Sequence, residues 1–198
     1  MKKNYTHVTL VVDRSGSMIS MKNGAEEGIN ALLSDQFKQK GKFTTTIVDF
    51  NITSRTIKRL ARGVEKYTMF PDGGTALYDA VSDEIDATGR DLAALPESER
   101  PSKVVFVIVT DGEENSSRRA TKYNVANKIK HQENNYGWKF VFQGAEESAW
   151  QGVELGITNT RSYLASNVGQ VASYGSLSNA ISSYRSGSDL AFADAISK

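Results

Sequence analysis

Two nearly continuous apolar runs constrain this chain more than any other feature. Val8–Val12 and Val104–Val109 are each followed within two residues by an acid, Asp13 and Asp111. Runs this short and this apolar are the pattern of strands buried on both faces, in a parallel sheet covered by helices on each side. A strand that stops at an acid delivers it to the carboxyl edge of the sheet, where open α/β sheets bind ligands.

The rest of the sequence supplies the covering layers. Ala25, Ile29, Leu32, Leu33 and Phe37 recur at helical spacing and predict a first helix ending near Gly41. Phe43–Phe50 reads as a second strand, and Ile52–Leu60 as its antiparallel hairpin partner, charged as an edge strand should be. After the turn Pro71-Asp72-Gly73-Gly74, the residues Leu77, Val81, Ile85 and Thr88 mark a second helix. A polar loop at Pro96–Ser102 leads into the second apolar run. Beyond it come a helix over Ser117–Tyr136 with Val125, Ala126 and Ile129 inward, a strand at Lys139–Phe142, and a short helix near Ala149–Leu155. A last strand is expected at Tyr163–Ala165. The serine-rich tail keeps a helical spacing from Val168 to Tyr184. The expectation is an α/β fold: a doubly wound (Rossmann-like), mostly parallel central sheet with one antiparallel edge strand and helices on both faces. The 198 residues suit a single domain, with a core over about residues 7–184 and a C-terminal extension over 185–198.

Composition narrows the chemistry. The 24 basic and 23 acidic residues nearly cancel, so no net field favours nucleic acid or membranes. The absence of cysteine removes disulfides and thiolate ligands, and two histidines, His7 and His131, are too few for a histidine-rich metal site. No run approaches a membrane span. The Met-Lys-Lys start resembles a signal n-region, but Asp13 ends the apolar stretch behind it. A cytoplasmic protein is expected, an exported and already trimmed chain being the alternative. G-x-S-x-G, Walker-type and G-x-G-x-x-G motifs are missing.

What remains is a set of hard oxygen donors. Asp13-x-Ser15-x-Ser17 leaves the first strand, Thr75 follows a Gly-Gly pair at the start of the second helix, and Asp111 leaves the fourth strand. Two carboxylates and three hydroxyls fit magnesium, which prefers octahedral oxygen coordination and keeps positions for waters or ligand oxygens. Asp13, Ser15 and Ser17 also suit a helix cap and turn, Thr75 suits an N-cap, and Asp111-Gly112 suits a plain turn. Glu113 and Glu114 read as solvated rim charges. Arg14 should point away from the ligands, toward solvent or a partner. The basic run Arg55–Arg62 reads as a solvated edge, Trp138 and Trp150 as core or semi-buried, and both histidines as structural or exposed.

In order and spacing, these pieces resemble the metal-ion-dependent adhesion site of von Willebrand factor A domains. The resemblance runs from about His7 to Tyr184. It implies Mg2+ (or Mn2+) held by Asp13, Ser15, Ser17, Thr75 and Asp111 at the top of the sheet. It further implies a non-enzymatic binding module, an adaptor or regulatory subunit, whose protein partner completes the metal shell with an Asp or Glu. No nucleic acid or membrane is expected as a partner. Loops near Met18, Asn51, Asp72 and Asn115 would select the partner. Two other readings stay open: a metal-dependent phosphohydrolase using Asp13, and a structural or assembly subunit with a vestigial site.

Overall fold

The computed structural model describes residues 1–63 and 65–188. Residues 189–198 of the expected C-terminal extension lie outside the described residues. In chain order the elements are β1 (Lys2–Asp13), α1 (Lys22–Lys38), β2 (Lys42–Phe50), β3 (Ser54–Ala61), α2 (Leu77–Ala94), β4 (Pro101–Thr110), α3 (Lys122–Tyr136), β5 (Lys139–Ala145), α4 (Trp150–Glu154), β6 (Asn159–Tyr163) and α5 (Asn167–Ser186). Short 3-10 turns precede α1 and β4. The sheet order is β3-β2-β1-β4-β5-β6, with β3 the one antiparallel strand. This is the mostly parallel, doubly wound α/β fold that the apolar runs predict. β1 lies between β2 and β4, so the chain departs to opposite sides of β1 and leaves a crevice beyond the carboxyl ends of β1 and β4.

Alternate residues of each inner strand feed two cores. Val8, Leu10 and Val12 pack with Ile29 and Leu32 of α1 and with Tyr174, Leu177 and Ile181 of α5. On the other face Val11, Phe106 and Ile108 pack with Val81 and Ile85 of α2, Val125 and Ile129 of α3, and Trp138. The α2 face of β1 also carries polar side chains, which form a buried chain. Tyr5 and His7 both meet the Thr44 hydroxyl at 2.9 Å, His7 meets Thr9 at 3.2 Å, Thr9 meets Thr88 at 3.1 Å, and Thr88 donates to Glu84. Burial, opposed by the bond to Thr44 and aided by Arg59, lowers the His7 pKa to about 3, so the ring is neutral. His7 is therefore structural, whereas His131 is exposed.

Several boundaries depart from the sequence expectations. β1 begins at Lys2 because its polar start pairs with β2 and β4. α2 runs to Ala94 and buries Leu92 as well. α3 starts at Lys122, not Ser117: Thr121 caps it in a reciprocal box with Asn124, and the residues before it are held in a loop. Ala126 is only half-buried. β6 ends at Tyr163, where the last strand was expected to begin; Asn-Thr-Arg-Ser carries no apolar signal, and its pairing with β5 makes it a strand. Val168 is 79% exposed, so the inward spacing of α5 starts after it. Trp138 is buried and Trp150 is 46% exposed.

Candidate metal centre

β1 ends at Asp13 and β4 at Thr110, side by side, so their side chains meet at the crevice. Asp13 is fully buried. Its Oδ1 accepts the Ser15 N–H at 2.7 Å and its Oδ2 accepts the Thr110 hydroxyl at 2.6 Å. Ser15 Oγ lies 3.0 Å from Ser17 Oγ, and Ser17 donates to Asp111 Oδ1 at 2.8 Å. Asp13, Ser15, Ser17 and Asp111 thus form one linked cluster. Ser15 stands at the N-cap of the 3-10 turn without a side-chain cap bond, while the Asp13 carboxylate closes a local turn on the Ser15 N–H, so of the cap-and-turn alternative the turn is present.

Thr75 joins through the loop before α2. Gly73 has φ +70°, a conformation glycine adopts without strain, and its carbonyl accepts the Gly16 N–H at 2.9 Å. A Cβ on Gly74 would sit 2.5 Å from Ser116 Oγ, so this glycine lets the loop after β4 close over the turn. Thr75 is buried, its N–H donates to Asn115 Oδ1, and the cap of α2 is Ala76 rather than Thr75. The convergence point lies above Gly112. A Cβ built there would lie 3.2 Å from Thr75 Oγ1, 3.5 Å from Ser17 Oγ and 3.9 Å from Asp13 Oδ2. The five residues picked from the sequence therefore come together, and glycine leaves the space between three of them open.

Electrostatics follow from burial. Desolvation raises the Asp13 pKa to about 6, against the Thr110 and Ser15 donors that favour the anion, and Asp111 adds to the rise. Asp111 is also raised by burial, with Ser17 opposing. A nearby cation offsets the cost of keeping both ionised. The donor set is all oxygen, and among the described residues no three histidines, cysteines or carboxylates cluster as a metal site. Hard cations of the magnesium type fit such a set.

Supporting residues were missed because their partners depend on topology. Thr110 fixes one Asp13 oxygen. Asn51 donates to the Asp72 carbonyl, accepts from Arg14 and Thr53, and its own carbonyl accepts the Ala76 N–H. Glu114 is no free rim charge: it accepts the N–H groups of Tyr78, Ser116 and Ser117. Asp79 accepts three backbone N–H groups from Arg118, Arg119 and Ala120; these donors and Arg119 outweigh burial and lower its pKa. Arg14 does point away, yet into the protein, where its Nε is 3.3 Å from the buried Asp49 that Arg55 also binds. Arg59 likewise pairs with Glu84 and Asp91, and Lys58 with Glu65, so the basic run is ion-paired at three of its positions. Met18 and Asn51 are buried and offer a partner little surface.

No family model matches the sequence, and no curated protein does. Solved structures do. Proximal thread matrix protein 1 from the mussel byssus, with a zinc-occupied MIDAS motif, aligns at TM-score 0.65 and 14% identity over 90% of this chain and 46% of its own. A von Willebrand factor type A structure from Catenulispora acidiphila gives 0.62 and 15%, over 89% and 42%. Manganese-loaded Plasmodium vivax TRAP protein gives 0.57 and 17%, over 79% and 64%. The chain thus spans less than two thirds of each of these neighbours. At these identities the likeness is one of fold: the chain has a von Willebrand factor A-like, Rossmann-like α/β architecture.

Proposed function

We propose that this chain is a metal-dependent protein-binding module. Asp13, Ser15, Ser17, Thr75 and Asp111 hold Mg2+, or Mn2+, and an acidic side chain of a protein partner completes its coordination. The observation that carries the reading is the meeting of Thr75 Oγ1, Ser17 Oγ and Asp13 Oδ2 around the space above Gly112. Two of the structural neighbours hold a metal, manganese in one and zinc in the other. Three neutral hydroxyls beside two carboxylates leave a dication electrophilic, which favours capture of an anion from outside.

Hydrolysis through Asp13 is the second reading: each of its oxygens accepts one hydrogen bond, from Ser15 N–H and from Thr110, and keeps a lone pair. The binding reading gives those lone pairs to the cation. The chain on this reading is an adaptor or regulatory subunit rather than an enzyme. Titration calorimetry with Mg2+ tests it: the wild-type protein binds, and Asp13→Ala loses binding while its circular dichroism is unchanged. Turnover of a phosphate ester that disappears in Asp13→Asn would replace this reading with the hydrolase.

A further inference from the structure

α2 and α3 cover the same face of the sheet, and a cavity of 380 Å³ opens between their carboxyl ends. Its floor is apolar: Ile85 and Leu92 of α2, Val104 of β4, and Trp138 just before β5, none more than 7% exposed. Val104 lies near the start of β4 and Asp111 just beyond its end, roughly 20 Å apart at the extended rise. The cavity is therefore separate from the candidate metal centre, and none of the five metal-centre residues lines it.

A missing side chain keeps the space open. The inward stripe of α2 runs Leu77, Val81, Ile85 and then Leu92, with Gly89 where another apolar residue would fall. Beyond its own helix backbone, a Cβ built on Gly89 meets nothing nearer than Gln132 Nε2 of α3, at 3.9 Å, an ordinary contact. Packing therefore does not demand a glycine, and glycine is the costliest residue after proline in a helix interior. What it provides here is room.

Charge selects the occupant. Arg90 and Arg100 line the cavity, and neither has an ion-pair partner among the described residues. The one carboxylate on its wall, Asp86, is already paired with Lys128. Arg100 is half-buried and held in place: its Nε donates to the Leu95 carbonyl at 3.0 Å and its Nη2 to the Ala93 carbonyl at 2.7 Å. Those bonds cover carbonyls at the end of α2 that would otherwise repel an anion. They leave the Nη1 N–H groups and one on Nη2 without a partner among the described residues. The indole N–H of the buried Trp138 also has no hydrogen-bond partner among the described residues. The cavity thus offers an apolar floor, N–H donors and uncompensated positive charge.

We propose that this cavity binds a small amphipathic carboxylate, a hydrocarbon body of roughly eight carbons on the apolar floor and its carboxylate at Arg100, with Arg90 beside it. The site is independent of the metal reading. Octanoate is the probe and 1-octanol its uncharged counterpart, each titrated into the whole chain by calorimetry. Octanoate is expected to bind at a single site, at least about tenfold tighter than 1-octanol, the scale of a charge-assisted hydrogen bond. Arg100→Met should erase that difference while 1-octanol affinity stays within about twofold of wild type, which loss of the fold would not allow. Gly89→Leu restores a good helix former and fills the space, so both ligands should be lost while the thermal midpoint holds or rises. Octanoate binding that survives Gly89→Leu, or no octanoate binding by the wild-type protein, would overturn the site. Equal affinity for octanoate and 1-octanol, or tighter binding of octylammonium, would overturn the carboxylate. A concentration-dependent dimer in sedimentation that Gly89→Leu dissolves would put a second copy of the chain in the cavity instead.

Discussion

A methyl group added at Gly112 would enter the space faced by Thr75, Ser17 and Asp13, with its nearest neighbour at 3.2 Å. Gly112→Ala is therefore expected to lower Mg2+ affinity at least about tenfold by calorimetry. The metal-free stability should change by less than about 1 kcal/mol, because the contact is with one hydroxyl rather than backbone. A second residue-scale effect concerns His7. Its folded pKa, about 3, lies below the usual histidine value, so unfolding takes up a proton between about 6.5 and 3. The His7 contribution to stability should thus fall as pH drops through that window, by up to about 1.4 kcal/mol per pH unit, while Asp13, raised to about 6, pulls the other way below that value. Urea unfolding of wild type and of His7→Gln at several pH values reads the His7 part as the difference between the two slopes, even though the variant is less stable overall. Of these details the sequence shows the acids and hydroxyls, since they stand at the ends of readable elements. Thr110, Asn51 and Asp79 are invisible in it, because each acts on a segment at least 21 residues away that only the sheet order brings near.

At the scale of elements, the closest helix contact is between α1 and α5. A Cβ on Gly24 would lie 2.3 Å from the Asn167 carbonyl oxygen, and one on Gly28 2.5 Å from Tyr174 Cδ2. Four residues apart, the two glycines form one notch that receives the start and middle of α5. Gly28→Val should therefore cost about 1–3 kcal/mol, measured by urea unfolding, as overpacking does. The apolar periodicity that locates α1 reports its large buried residues and says nothing of this notch. β6 was misplaced for a related reason: it is held by backbone pairing with β5, and polar edge strands carry no hydrophobic signature. The start of α3 was misread because Asp79 and Glu114 hold Ser116–Ala120 as a loop, through N–H donors a helix would otherwise use.

For the whole molecule, a ligand that binds only the folded state stabilises it. At a hundredfold excess over its Kd, Mg2+ should add about 2.7 kcal/mol. Thermal unfolding should shift upward for the wild-type protein and remain in place for Asp13→Ala. The frame of the fold was readable because two apolar runs could only be inner strands, and inner parallel strands dictate helices on both faces. That frame has a consequence in time. The site is assembled from ends of strands distant in sequence: Asp13 and Thr110, bonded across 97 positions, belong to neighbouring ladders. Contacts so far apart form late, since loop closure must precede them. On the proposed metal reading, Mg2+ binding is then a clock for refolding: competence to bind should emerge only with the final zippering of β4 onto β1, after helical circular dichroism has largely returned.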